Sequence, residues 1–410
     1  MHRSLPLVRA LSSTALALAL SVPPTPISSG FVASAGTGCD VTGTAQDDVL
    51  KGTRGSDTIC GLGGNDVILG RGGNDTLRGD RGSDAIFGGG DDDRIEGGPG
   101  LDRLEGGSGG DALVGGTGDD QCESGIGDTA SSCSPLPSSD LVLGVAGDIA
   151  CPPGEDPDED SCQMRATSDL LLENHVSVVL TTGDNQYDDG ELENFQRSYA
   201  SSWGRLKAIT HPSPGNHDFH ISGAAGYFDY FGPLAGPARR GYYSFNINDW
   251  HFVSLTSECD GVDGCNIGDP QYEWLADDLA ADDHPCTLAY WHHPRFAAGN
   301  YEDNDSYEPF WQLLFEEGAE IVLNGHDHNY QHYRPQDPAG NADANGIREF
   351  IVGTGGRSHY SVDADAPNRV AADGDTFGVL LLTLGADGYD WSFEAIPGGS
   401  FTDSGNDTCH

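Results

Sequence analysis

Hydrophobic positions in this chain follow two rhythms. From about residue 40 to about 130 the apolar residues are mostly single and evenly spaced, whereas beyond about residue 140 they gather into runs. The runs LVLGVAG (141–147), VSVVLTTG (176–183), LKAITHPSPG (206–215), CTLAYWH (286–292) and AEIVLNG (319–325) read as buried strands. Between them, residues 163–175, 191–203, 269–283 and 306–318 carry helical spacing, and further strands are predicted at 242–247, 250–257, 348–356, 377–384 and 389–397. Strands alternating with helices and followed by β-rich segments describe an α/β domain from residue 140 to 410.

The earlier rhythm has a period of nine residues. Glycine stands at 43, 52, 61, 70, 79, 88, 97, 106 and 115, and aspartate at 48, 57, 66, 75, 84, 93, 102, 111 and 120. Two residues after each aspartate comes an inward candidate: Leu50, Ile59, Ile68, Leu77, Ile86, Ile95, Leu104, Leu113 and Cys122. Glycines permit loops with positive φ, and aspartates supply the anionic oxygens that calcium favours. The segment resembles the RTX nonapeptide family, most fully in Gly-Leu-Gly-Gly-Asn-Asp-Val-Ile-Leu at 61–69. The resemblance implies an all-β parallel roll over residues 36–131 with Ca2+ between successive loops, held by Asp57, Asp66, Asp75, Asp84, Asp93, Asp102, Asp111 and Asp120. Gln46 and Asp91 replace the fourth-position glycine in the first and sixth loops. One core aliphatic per turn buries little surface, so ordering is expected to be coupled to calcium. The Pro- and Ser-rich stretch 132–139 reads as a linker.

Composition narrows the setting. Sixty-five acidic against 20 basic residues give a formal net charge of -45. Such a surface repels nucleic acid and anionic membrane as standing partners. Residues 1–35 have basic positions, a short apolar stretch and Ala33-Ser34-Ala35, the pattern of a signal peptide, and no later run is long enough for a transmembrane segment. A secreted, extracellular protein is therefore expected, and its ten cysteines suit a compartment that permits disulfides. Cys122 with Cys133, Cys151 with Cys162 and Cys259 with Cys265 are close in sequence, and Cys39 with Cys60 and Cys286 with Cys409 complete one pairing among those that spacing leaves open.

Chemistry concentrates where the strand-like runs end: Gly147-Asp148, Gly183-Asp184 with Tyr187, Gly215-Asn216-His217-Asp218, His292-His293-Pro294 and Gly325-His326-Asp327-His328. Open α/β sheets gather their sites at strand carboxyl ends, and these side chains offer hard and borderline ligands for two ions. In types and order the clusters resemble the metallophosphoesterase superfamily, specifically its purple acid phosphatase-like branch. The resemblance implies a four-layer sandwich of two mixed sheets flanked by helices. It further implies one metal on Asp148, Asp184, Tyr187 and His328 and a second on Asp184, Asn216, His292 and His326, with Asp184 as bridge. The broader superfamily has Asp-x-His where this chain has Asp148-Ile149-Ala150, and the purple branch has glycine at position 150. A phenol ligates near neutrality only beside a strongly Lewis-acidic ion, so Tyr187 points to Fe3+ with divalent Fe, Zn or Mn; Tyr187 in packing would instead leave a divalent pair.

These readings describe a metal-dependent phosphatase acting on a phosphate ester, of acid or alkaline type. A two-metal-activated hydroxide attacks and His217 protonates the leaving group. Asp218 either orients His217 or is a solvated loop acid, and His293 and Arg295 are candidates to contact substrate phosphate. A phosphodiesterase or 5'-nucleotidase is the nearest alternative. A calcium-dependent surface-binding protein with an inactive phosphoesterase domain is the alternative of another class, and calcium-dependent cell-surface association is compatible with either.

Overall fold

A computed structural model describes residues 38–137, 140–363 and 365–410, so the expected signal peptide lies outside the described residues. The nine-residue period becomes one short strand per repeat, and alternate repeats go to opposite sheets. One sheet pairs, in parallel, strands from Val41–Thr42 to Thr129–Ser131, the other those from Val49–Lys51 to Gln121–Glu123. Neighbours within a sheet are therefore eighteen residues apart, as in Leu50 with Ile68 and Ile59 with Leu77. All nine predicted inward residues, Leu50 through Cys122, form one buried column. Pairing continues past the expected end of the roll, because Ser134 bridges Gln121 beside the Cys122–Cys133 disulfide.

Seven aspartates of the roll, Asp66, Asp75, Asp84, Asp93, Asp102, Asp111 and Asp120, share one arrangement. One carboxylate oxygen accepts the backbone N–H of the aspartate eighteen residues earlier, as in Asp66 N to Asp84 Oδ1 at 2.8 Å and Asp102 N to Asp120 Oδ1 at 3.0 Å. The other oxygen, Oδ2, is buried without a hydrogen-bond partner. An acceptor-only group buried with an open oxygen fits a cation ligand. Asp57 departs from the expected set: its Oδ2 already accepts Thr53 N at 2.6 Å and Thr53 Oγ1 at 2.8 Å, so the open row begins at Asp66.

Beyond the roll, two mixed sheets are built. The first runs, in spatial order, Thr210–Ser213, Val178–Thr182, Leu141–Ala146, Gly378–Leu384, Gly388–Ala395 and Ser404–Thr408. The second runs Tyr243–Ile247, Trp250–Ser254, Cys286–Tyr290, Ile321–Asn324, Arg348–Val352, Tyr330–Tyr333 and Arg369–Asp373. Leu143, Val145, Leu380 and Leu382 of the first share a core with Phe252, Leu288, Leu323 and Phe350 of the second, which packs the sheets together. The other face of the second sheet, with Val253, Ala289 and Val322, buries Leu275 and Leu279 of helix Pro270–Ala281 and Phe310, Trp311 and Leu314 of helix Glu308–Glu316.

The run at 206–215 is not one strand. Trp203–Ile209 is a 3-10 helix and only Thr210–Ser213 is extended, because Trp203, Leu206, Lys207 and Ile209 must all be buried on contacts that a two-sided strand would divide between faces. All five expected disulfides form: Cys39–Cys60, Cys122–Cys133, Cys151–Cys162, Cys259–Cys265 and Cys286–Cys409. No helix among the described residues is long and apolar enough to cross a membrane.

Candidate metal centre

Five strands deliver the clusters to one place. Leu141–Ala146, Val178–Thr182, Thr210–Ser213, Cys286–Tyr290 and Ile321–Asn324 all end on the same side, and the chain turns sharply after each. Asp148, Asp184 and His326 take positive φ of 59°, 47° and 69°, a region costly for side-chain-bearing residues and frequent at functional sites. Glycines let these loops nest. A Cβ on Gly215 would stand 2.3 Å from Asp184 Oδ1, and one on Gly183 2.6 Å from His292 Nδ1.

Asp184 is the hub. Its Oδ2 lies 2.8 Å from Tyr187 Oη and 3.3 Å from His292 Nε2, while its Oδ1 accepts His217 N at 2.8 Å. On one side Tyr187 Oη also reaches Asp148 Oδ1 at 2.8 Å and His328 Nε2 at 2.9 Å. On the other, His292 Nε2 faces Asn216 Oδ1 at 3.1 Å and His326 Nδ1 at 3.2 Å. Asp148 Oδ2 accepts His326 N at 2.8 Å, so one ligand's backbone fixes another's carboxylate. The seven residues expected to bind metal thus form one cluster in two lobes that share Asp184, five of them buried and Asn216 and His326 half-buried.

Proton counting shows what this cluster requires. His292 Nδ1 lies 2.9 Å from the Thr182 carbonyl, which can only accept, so that nitrogen carries the hydrogen and Nε2 points its lone pair at two oxygen acceptors. Tyr187 has a single hydroxyl proton for two carboxylate oxygens. Burial, with Asp148 and Asp184 alongside, pushes that phenol well above its ordinary value. Burial also disfavours charge on His292, yet Asp184 outweighs it and raises the imidazole to about 10, so the carboxylate calls for positive charge at Nε2, which either a proton or a metal ion would supply. Converging lone pairs with too few protons between them fit cations, and the back-side bonds to Thr182 and from His328 Nδ1 to Ser358 Oγ at 2.8 Å are those that orient metal-ligating imidazoles.

Around the cluster the expected auxiliary roles are redistributed. His217 Nδ1 lies 2.5 Å from the Asp188 carbonyl, which leaves Nε2 facing inward, 3.9 Å from Asp184 Oδ2. The Asp188 carbonyl, not Asp218, orients this imidazole. Asp218 is fully buried and is neither a solvated loop acid nor a partner of the His217 ring: its Oδ2 accepts Gly215 N at 3.0 Å, Asn185 N at 3.2 Å and Asn185 Nδ2 at 3.0 Å. Burial and the charge of Asp184 lift its carboxyl to about 7.

His293 sits beside the centre, its ring 4.0 Å from that of His326 and its Nδ1 2.8 Å from Ser257 Oγ. Burial first, then His292, pull it down to about 3. Arg295 points elsewhere: it pairs with Asp305 at 3.1 Å and covers the Phe296 ring at 4.4 Å, because the turn after Pro294 carries it into the core near Glu349. The arginine at the site is Arg357. Its guanidinium lies over the Tyr187 ring at 5.3 Å and bonds Asp188 Oδ1 at 3.2 Å, and its backbone N–H bonds the Asp148 carbonyl at 2.9 Å. Tyr301 and Tyr360 stack on the ligand rings of His326 and His328 at 3.9 and 4.0 Å. Arg357 ends the glycine run 353–356, where backbone approach is close: a Cβ on Gly353 would lie 2.9 Å from Asp148 Oδ2. That run was the one sequence signal for it.

Comparison with known proteins agrees with this geometry. Residues 141–330 match the calcineurin-like phosphoesterase family, and 42–77, 69–104 and 96–129 match the RTX calcium-binding nonapeptide repeat. Purple acid phosphatase 15 of Arabidopsis thaliana is 29% identical over 193 residues, covering 41% of this chain and 34% of that protein; purple acid phosphatase 18 of the same plant is 29% identical over 121 residues, 28% and 26%. The chain thus spans about a third or less of these curated relatives. Among solved structures, purple acid phosphatase PPD1 from yellow lupin (Lupinus luteus) seeds superposes with a TM-score of 0.57 at 18% identity, over 67% of this chain and 55% of that one. GAP50, the anchor in the inner membrane complex of Plasmodium, gives 0.50 at 14% identity over 66% and 90%. Both likenesses are of fold. Residues 141–330 therefore carry a calcineurin-like phosphoesterase domain with similarity to purple acid phosphatases, and residues 42–129 before it carry RTX calcium-binding nonapeptide repeats.

Proposed function

We propose that this chain is a secreted, metal-dependent phosphomonoesterase with a calcium-binding roll and a four-layer catalytic sandwich. The observation that carries the reading is the two-lobed cluster around Asp184, whose lone pairs outnumber its protons. Asp148, Asp184, Tyr187 and His328 would hold one ion and Asp184, Asn216, His292 and His326 the other. Bound there, the ions supply Lewis-acid polarisation of the phosphoryl oxygens and activation of water. Tyr187, with its hydroxyl aimed into the cluster rather than into packing, favours Fe3+ in its lobe and a divalent Fe, Zn or Mn in the other.

The chain's own residues handle the proton. His217, held through Nδ1 by the Asp188 carbonyl, turns Nε2 to the centre and from there gives its proton to the departing alkoxide. The Tyr187 ring, 4.1 Å away by centroids, limits its swing. His293 and Arg357 are the substrate-phosphate contacts this geometry favours, Arg357 taking the part expected of Arg295.

Fold alone does not decide hydrolysis, since GAP50 shares it and is described as an anchor. The complete ligand set favours an active enzyme. Elemental analysis and a visible spectrum of protein never exposed to chelator test the reading: two tightly held ions besides calcium and a colour lost in Tyr187→Phe are expected, and fewer than two ions would overturn it. Faster turnover of bis-p-nitrophenyl phosphate than of p-nitrophenyl phosphate would make the chain a diesterase.

A further inference from the structure

Lys207 has no part in the chemistry above, yet it is fully buried. Its ammonium donates to the Asn65 carbonyl of the roll at 2.9 Å and lies over the Tyr230 ring at 4.2 Å. Tyr230 in turn donates to Asp47 Oδ2, again on the roll, at 2.7 Å. The carboxylates bearing on the ammonium, Asp47, Asp66, Asp84 and Asp48, are all roll residues. A buried lysine is tolerable only with such partners.

The roll surface here is built for contact. In alternate repeats the residue after the loop aspartate is apolar: Val49, Val67 and Ala85, against Thr58, Thr76 and Arg94 in the intervening repeats. Val67 and Ala85 are fully buried and belong to the same core as Phe195, Tyr230 and Phe231, with Val49 and Phe87 packed on it. Over its first three strands this sheet of the roll therefore turns apolar residues to both faces, one face toward its own column and the other toward the domain that follows, before Arg103 and Gln121 end the pattern.

The two anchors flank one loop. Lys207 lies in the last turn of the 3-10 helix Trp203–Ile209, which runs into Thr210–Ser213 and then Asn216 and His217; Tyr230 lies in Ala225–Phe231, after that loop. Their roll partners Asn65 and Asp47 adjoin Asp66 and Asp48, and Asp66 opens the row of unpartnered oxygens. We propose that Lys207 and Tyr230 are positioning residues that fasten both flanks of the Asn216–His217 loop to the roll, so that calcium loading of the roll orders this loop of the catalytic domain. Stacked carboxylates without a cation push the coils apart and displace Asn65 and Asp47, which loosens both anchors together. The link to turnover rests on the proposed hydrolytic role of His217; the coupling itself does not.

Hydrogen exchange of the full chain with and without calcium tests it, comparing wild type with Lys207→Met and Tyr230→Phe. In the wild type, calcium slows exchange in the roll and also in residues 203–231, by about tenfold or more. In Lys207→Met the roll still responds while 203–231 loses most of the effect, and Tyr230→Phe, which removes only a hydroxyl, falls between. With p-nitrophenyl phosphate, calcium raises kcat at unchanged KM in the wild type and does so less in both variants. Protection confined to the roll in the wild type, or an undiminished response of 203–231 in Tyr230→Phe and in any folded Lys207→Met, overturns the proposal. Coupled exchange in a chain that hydrolyses no phosphate ester would fault the catalytic reading and leave this one standing.

Discussion

At the scale of single residues, the hydrogen-bond geometry separates groups turned to the centre from groups that hold them. His217 has one nitrogen fixed by the Asp188 carbonyl and the other turned to the centre. His217→Ala should keep its metal and lose about 10²- to 10⁴-fold in kcat, read by steady-state kinetics beside metal analysis. Arg357→Ala should raise KM for p-nitrophenyl phosphate about tenfold with a smaller change in kcat, as expected when one charge-assisted contact to phosphate is removed. Asp218 belongs to the holding class. Asp218→Ala strands the three N–H groups it accepts and should cost about 1–3 kcal/mol, seen as a lower thermal midpoint. The residues that converge on the centre, and their order, were legible in the sequence because the motifs are short and local. Asp188 and Arg357 were not, since a backbone carbonyl and an arginine after a glycine run acquire roles only from what is folded against them.

At the scale of elements, long apolar runs announced themselves and short or polar ones did not. Tyr330–Tyr333 and Ser404–Thr408 are strands without apolar alternation, placed by their neighbours. In the first of these sits His332, its Nδ1 2.9 Å from Asp403 and its Nε2 receiving Arg348 Nη1 at 2.8 Å, with Phe350 and Trp391 packed on its ring. Burial is the chief cause that holds its imidazole below the ordinary 6.5, with Arg348 adding to it. The unfolded chain then binds more protons than the folded one below about 6.5, so stability falls as pH drops through that value and is level above it. Asp403 adds a further loss at lower pH: burial raises its carboxyl, but His332, Tyr330 and Trp391 hold it below its ordinary value. Thermal midpoints of wild type and His332→Gln compared from pH 8 to 5 should show the loss due to His332 as a difference that widens in favour of the variant as pH falls below about 6.5. The Cys286–Cys409 bridge, which closes 123 residues and ties the C-terminal strand to the second sheet, should cost about 2–5 kcal/mol when both cysteines become alanine, measured by denaturant unfolding.

At the scale of the whole molecule, roll and catalytic domain share a core, so calcium should stabilise more than the roll. Binding confined to the folded state adds about 2.7 kcal/mol per site at a hundredfold excess over Kd. A thermal transition of the full chain that climbs with calcium, reported alike by roll β-structure and by tryptophan fluorescence, is the expected outcome. Trp203, Trp250, Trp291 and Trp311 are all buried in the catalytic domain and report on it alone.

The sequence by itself determined the repeat, its inward column, the polar residues that meet at the centre and the strand ends that carry them, because period and local motif are properties of the chain read in order. Tertiary structure decided which proton each ring keeps, which arginine meets the centre, and that one face of the roll is buried against the domain after it. Those outcomes depend on contacts between residues far apart in the chain, and burial, which sets their energies, exists only once the partners have met.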